Sequence, residues 1–167
     1  VENLNFVLGT GGDTVNVTSP LGGTSLSIST IEITGGSGND TVSSAAIDLA
    51  HPVRVMFHGG GGTDVFVSGE GNDVFDGGSD VDTVSFAAAD EGVTLVLNGA
   101  TASTATHGTD TETDSIVNVE NVVGSAFADS LTGDGSNNVL TSGGGNDAIA
   151  GGGGTDTAAF SGNNTDY

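Results

Sequence analysis

The sequence contains no cysteine, two prolines and one basic residue, Arg54, against 22 acidic ones. Without cysteine there is neither a disulfide nor a thiolate metal site. In a protein built for the outside of a cell, a bound metal is then the available staple. The near absence of positive charge disfavours nucleic acid as a partner, because a polyanion needs lysine and arginine against its phosphates. No apolar run approaches the length of a membrane-spanning helix, so no transmembrane segment is expected. Aromatics make up 5% of the chain and the formal net charge is -21. Like charges oppose compaction, and a chain so charged and so poor in aromatics is expected to be largely disordered without a cation. No His-Glu-x-x-His motif occurs, and His51, His58 and His107 have no serine or cysteine at a recognisable catalytic spacing. Each is read as a surface or strand residue, and no enzyme activity is expected. The chain opens on neither Met nor a signal peptide, and is read as part of, or a product processed from, a longer repetitive protein.

What the chain has in quantity is glycine, 30 residues, well short of the roughly one in three of collagen. Over Gly59–Phe86 the glycines fall into nine-residue units, GGGGTDVFV, SGEGNDVFD and GGSDVDTVS. Asp64, Asp73 and Asp82 hold the sixth place of each unit, and Phe66, Phe75 and Val84 the eighth. The glycine half can take left-handed backbone and crowd carbonyls toward one point. The last three residues, such as Val65–Val67, alternate outward, inward, outward as a short strand. One unit buries almost nothing alone, so units must stack into an array.

Two units make one coil, so aspartates eighteen residues apart, such as Asp64 and Asp82, are expected to lie over one another. Coils about 4.8 Å apart, the strand spacing of a sheet, bring two carboxylates into one gap. They repel unless a cation sits between them. Calcium fits, taking about six to eight oxygens from carboxylates and carbonyls, whereas magnesium holds its waters and wants a tighter octahedron. Asp73 is expected to pair with Glu91, beside Asp90, closing the central array.

The same unit recurs elsewhere. Gly35–Ser43 is one copy, with Asp40 as ligand and Val42 inward. From Gly124 the frame returns with Asp129, Asn138, Asp147 and Asp156 at sixth positions and Leu131, Leu140, Ile149 and Ala158 at eighth. Asp129 is expected to stack over Asp147, and Asn138 over Asp156, the latter weaker because Asn138 brings no charge. Strands are expected at Ser25–Ile28, Ile31–Ile33, Val53–Phe57, Val93–Leu97 and Ile116–Val119. Asn98–Asp114, without a large apolar residue, reads as a loop or edge excursion. Asp40 and Asp64 are not a multiple of nine apart, so an insertion bulges between them. Val-Glu-Asn opens both Val1–Val17 and Val119–Thr132, as though the chain starts within a larger repeat. Phe160 and Tyr167 are expected to cover the end of the array. The whole of 1–167 is read as one region, with arrays at 35–43, 59–91 and 124–160 joined by the irregular segments 44–58 and 92–123.

These units resemble the RTX, or haemolysin-type calcium-binding, repeat G-G-x-G-x-D-x-U-x, with U a large apolar residue. The resemblance implies an all-β fold, a right-handed parallel β-roll or β-solenoid, with several Ca2+ ions between stacked turns. It also implies secretion by a type I exporter, with folding in external calcium. In the family, carbonyls at turn positions two and four join the Asp on one side of an ion, and positions one and three join the next Asp on the other. Carried over, Gly60, Gly62 and Asp64 face Gly77, Ser79 and Asp82. Gly36 and Gly38 accompany Asp40, and Gly69 and Gly71 accompany Asp73. In the last array the candidates are Gly143, Gly145 and Asp147 with Gly151, Gly153 and Asp156. Asp80 stands where GGSDVD would have glycine.

Three functions remain open on the sequence. One is a calcium-dependent structural module of an extracellular or bacterial cell-surface protein, of adhesin or surface-layer type, with copies of itself as assembly partners. Another is the export and folding module of a secreted protease, lipase or epimerase. The third, a solenoid that binds carbohydrate or ice, needs a flat, regular outer face. The mixed Val, Asp, Ser, Thr and Ala of the outward positions argue against it.

Overall fold

A computed structural model describes residues 2–18, 28–47, 53–107 and 112–161. Sixteen strands and no helix occur among them. In chain order the first half contains β1 (Glu2–Gly9), β2 (Thr14–Thr18), β3 (Ile28–Gly36), β4 (Thr41–Ala46), β5 (Arg54–Gly61), β6 (Val65–Val67), β7 (Val74–Ser79) and β8 (Thr83–Ser85). The second half contains β9 (Val93–Val96), β10 (Ser103–His107), β11 (Thr113–Val117), β12 (Asn121–Val123), β13 (Ser130–Thr132), β14 (Val139–Thr141), β15 (Ala148–Ala150) and β16 (Thr157–Ala159).

The strands form two sheets, ordered β1-β3-β5-β7-β11-β10-β9-β13-β15 and β16-β14-β12-β8-β6-β4-β2. Except around β10 the pairs are parallel, and the chain alternates between sheets from one turn to the next, the parallel β-roll expected of the repeat. The three-residue strands β6, β8, β12, β13 and β14 each bury their middle residue. Val65–Val67 places Phe66 fully inside between two half-buried valines. Along one sheet Val42, Phe66, Val84, Val122 and Leu140 stand in register, each over the last. Opposite them Ile33, Phe57, Phe75 and Ile116 form the facing column. Phe57 and Phe75 stack with ring centroids 5.4 Å apart, and Phe66 tilts against Phe75 at 5.6 Å. The centre of the core is therefore two facing files of apolar side chains.

Two expectations need correction. The stretch Asn98–Asp114 is not a loop throughout: it contains β10, antiparallel to both β9 and β11. Its Ser103, Ala105 and His107 face inward, alternating with exposed threonines. Small side chains suffice there, which is why no large apolar residue marks the strand. The insertion between Asp40 and Asp64 leaves β4 and β6 directly paired, Val42 on Phe66. Second, the two Val-Glu-Asn segments are not equivalent. Glu2 and Asn3 lie in β1 of one sheet, whereas Asn121 begins β12 of the other.

Ile28 begins β3, while Ser25–Ser27 and Tyr167 lie outside the described residues. Phe160 is half exposed.

Candidate metal centre

The turns line up along two flanks of the roll. On the first flank, each turn precedes a strand of the β2–β16 sheet. Its acidic residues hold one another by backbone. The amides of Asp13, Asp40 and Asp64 donate to Oδ1 of Asp40, Asp64 and Asp82 in turn, each at 2.8 Å. The Asp82 amide donates to Glu120 Oε2 at 3.0 Å, and the Asn138 amide to Asp156 Oδ1 at 2.9 Å. Asp64 therefore stacks on Asp82, and Asn138 on Asp156, as their spacing predicts. Asn138 supplies its own cation-free link, its Nδ2 donating to the Glu120 carbonyl at 2.9 Å.

The other oxygen of each carboxylate decides what the flank can hold. Oδ2 of Asp40, Asp64 and Asp82 is buried, and among the described residues no donor reaches it. A buried carboxylate oxygen without a donor is costly. Each points beneath the first glycine of its own turn, toward a carbonyl of the next coil. A Cβ on Gly35 would collide with Asp40 Oδ2 and the Gly59 carbonyl, and one on Gly59 with Asp64 Oδ2 and the Gly77 carbonyl. At Gly77 the same place is shared by Asp82 Oδ2 and the Asn118 carbonyl. Oxygens gathered without a hydrogen between them suit a hard cation. No group of three or more His, Asp or Glu side chains forms a metal cluster among the described residues. A cation here would depend on carbonyls as much as carboxylates.

The electrostatics agree. Burial pushes Asp64 above the ordinary carboxylate range, with Asp40 and Asp80 adding repulsion. Burial likewise pushes Asp82 up to about 7, with Asp64, Glu120 and Asp80 adding to it.

The turns obtain their shape from left-handed backbone. Gly36, Gly60 and Gly62 have φ of 113°, 100° and 107°. Asp80 adopts φ 79° in the place of a glycine, and its Oδ2 accepts the Gly62 amide at 3.1 Å. Aspartate tolerates this region better than most residues. Gly38 lies against the Gly11 carbonyl, and Ser79 donates its hydroxyl to the Gly60 carbonyl at 3.2 Å.

The second flank precedes the strands of the other sheet. Asp73 does not pair with Glu91. Its amide donates to Asp114 Oδ1 at 2.9 Å, because β11 rather than the segment after Phe86 stacks on β7. Asp90 is exposed, and the turn carrying it and Glu91 lies instead beside Ala128, which a Cβ on Gly92 would strike. Gly69 packs on the Ser44 carbonyl, and the Gly71 amide donates to Glu112 Oε2 at 3.1 Å. Burial, then the Asp114 charge, push Asp73 up to about 8. His107 is buried, its Nε2 3.2 Å from Asp114 Oδ2, and that hydrogen bond holds it above the ordinary imidazole range. His58, in β5, lies 3.9 Å from Glu32, and His51 falls outside the described residues.

Further along this flank the Asp129 amide donates to Asp147 Oδ1 at 3.0 Å, the expected stack. Asp129 accepts the Ser125 amide and hydroxyl, both at 2.8 Å. Gly143, Gly145, Gly152 and Gly154 carry positive φ, while Gly151 lies against Asp156 and Gly153 near the Asp134 carbonyl.

Glu120, Asp114, Ser44, Ser68 and His107 escape a reading by nine-residue frame. One signal was present: the first turn position is glycine at 35, 59 and 77, but serine at 44 and 68.

The family model of the RTX calcium-binding nonapeptide repeat matches residues 32–46, 58–89 and 123–158, in four copies. No curated protein matches the chain significantly.

Proposed function

The chain carries RTX calcium-binding repeats, and on that premise we propose that it is a calcium-stapled structural module of an extracellular or cell-surface protein. RTX nonapeptide repeats bind Ca2+ and are typical of secreted bacterial proteins. The finer reading is that this module is non-enzymatic, of adhesin or surface-layer type, and folds after export when it meets calcium outside the cell. All of 1–167 then acts as a single roll.

The observation that carries it is the file of donorless buried oxygens on Asp40, Asp64 and Asp82. The residues that would hold the ions there are these aspartates with turn carbonyls from Gly36, Gly38, Gly60, Gly62, Gly77 and Ser79. A divalent cation supplies the positive charge that lets stacked carboxylates stay ionised. It also ties one coil to the next, so binding and folding become one equilibrium.

The test is far-UV circular dichroism of the purified chain during a calcium titration from chelator, with magnesium as control. A change from coil to β signal with calcium alone is expected. A chain already folded in chelator and indifferent to calcium overturns the reading.

A further inference from the structure

We propose that the Asp73–Asp114 rung of the second flank takes no metal, and that Ser44, Ser68 and His107 close it in place of a cation. This rests on the reading that the Asp40–Asp64–Asp82 file binds calcium.

Both oxygens of each carboxylate are already used. Asp73 Oδ1 accepts the Val55 amide at 2.8 Å, and its Oδ2 accepts the Ser44 hydroxyl at 2.8 Å. Asp114 Oδ1 accepts the Asp73 amide at 2.9 Å. Asp114 Oδ2 accepts the Ser68 hydroxyl at 2.7 Å and faces His107 Nε2 at 3.2 Å. Asp73 and Asp114 are each 1% exposed and His107 is 7% exposed, so water does not compete for these contacts. Every donor hydrogen pointing into a carboxylate turns the positive end of a dipole toward the space a cation would need. Calcium, with its demand for about six to eight oxygens, would have to displace hydroxyls that are buried and held.

Two features of the chain build this closure. Serine at the first turn position brings a hydroxyl where the other flank has a bare glycine. Ser44 is itself positioned, its Oγ accepting the Gly69 amide at 2.9 Å. The antiparallel β10 then brings His107 diagonally onto Asp114, two residues along the same face from the register pair Ala105–Asp114. Phe86 meets the imidazole edge to face, centroids 5.5 Å apart at 88°, which fixes the ring toward the carboxylate. In a uniform parallel roll no side chain would enter from that direction.

The roll is therefore asymmetric: one flank is completed by metal and the other, at its centre, by protein. Bound calcium is counted on the full chain by equilibrium dialysis and atomic absorption, for wild type, Asp64→Asn and Asp114→Asn. Asp114→Asn is expected to keep the wild-type count, and Asp64→Asn to lose at least one ion. Loss of an ion in Asp114→Asn overturns the proposal while leaving the calcium reading intact. A wild type that binds none overturns both. Should Asp114→Asn not fold, the His107 ring resonances of the calcium-saturated wild type decide. A hydrogen-bonded Nε2 proton is expected, and a ring released from Asp114 at saturation overturns the assignment.

Discussion

A single oxygen separates the two kinds of turn: Oδ2 of Asp64 and Asp82 meets no donor among the described residues, whereas Oδ2 of Asp73 and Asp114 accepts a serine hydroxyl. Asp82, pushed up to about 7, and Asp64, also raised, have folded values above the 3.8 of a free aspartate. The folded metal-free chain thus holds protons more tightly than the unfolded chain between those values. Its stability is greatest below the unfolded value and is lost as pH rises toward about 7. Calcium needs the ionised form, so proton and metal compete. Calcium affinity is expected to strengthen steadily from about pH 5 to about pH 8, measured by titration at fixed ionic strength. A pH-independent affinity would place the ions elsewhere. Glycine carries a second prediction at this scale. Gly59→Ala sets a methyl against Asp64 Oδ2 and the Gly77 carbonyl. A loss of about 1–3 kcal/mol is expected, the usual cost of overpacking. Gly11, with nothing within 4 Å of its added Cβ, is the control, and Gly11→Ala is expected to leave chemical denaturation in calcium unchanged.

Each strand contributes little beyond one inward side chain, so that side chain governs the element. Phe75 touches both the Phe57 and Phe66 rings and is fully buried. Phe75→Ala is expected to lose about 3–5 kcal/mol, read as a shift in the denaturation midpoint of the calcium-loaded chain. These inward positions were legible in the sequence, because glycine turn, aspartate and apolar residue recur in a fixed frame. The stacks Asp64–Asp82, Asp129–Asp147 and Asn138–Asp156 were legible for the same reason. Asp73 was not, since its partner depends on how the chain returns after Phe86. That return is made by β10, whose Ser103, Ala105 and His107 satisfy the inward face without the bulk that announces a strand. Glu120 was missed because a carboxylate one carbon longer fills the sixth position from a segment with no glycine turn.

At the scale of the whole chain, the charge of -21 has no internal counterweight beyond Arg54 and the histidines. In chelator, sodium chloride is expected to contract the chain by screening, since the Debye length falls to about 10 Å at about 0.1 M. It should not restore the β signal, because screening leaves the donorless oxygens as they were. Dynamic light scattering beside circular dichroism separates the two effects, and a β signal recovered by salt alone would count against a specific cation.

The coils of the first flank are unequal. Successive members of its ladder are separated by 27, 24, 18, 38, 18 and 18 residues. A thread marked at even intervals can be wound one turn out of place and still match nearly everywhere. This thread is graduated unevenly, like a key whose cuts differ in depth. Shifted by one turn, an interval of 24 or 38 residues falls where one of 18 belongs. The irregular segments between the repeats are thus what tells one winding from every other.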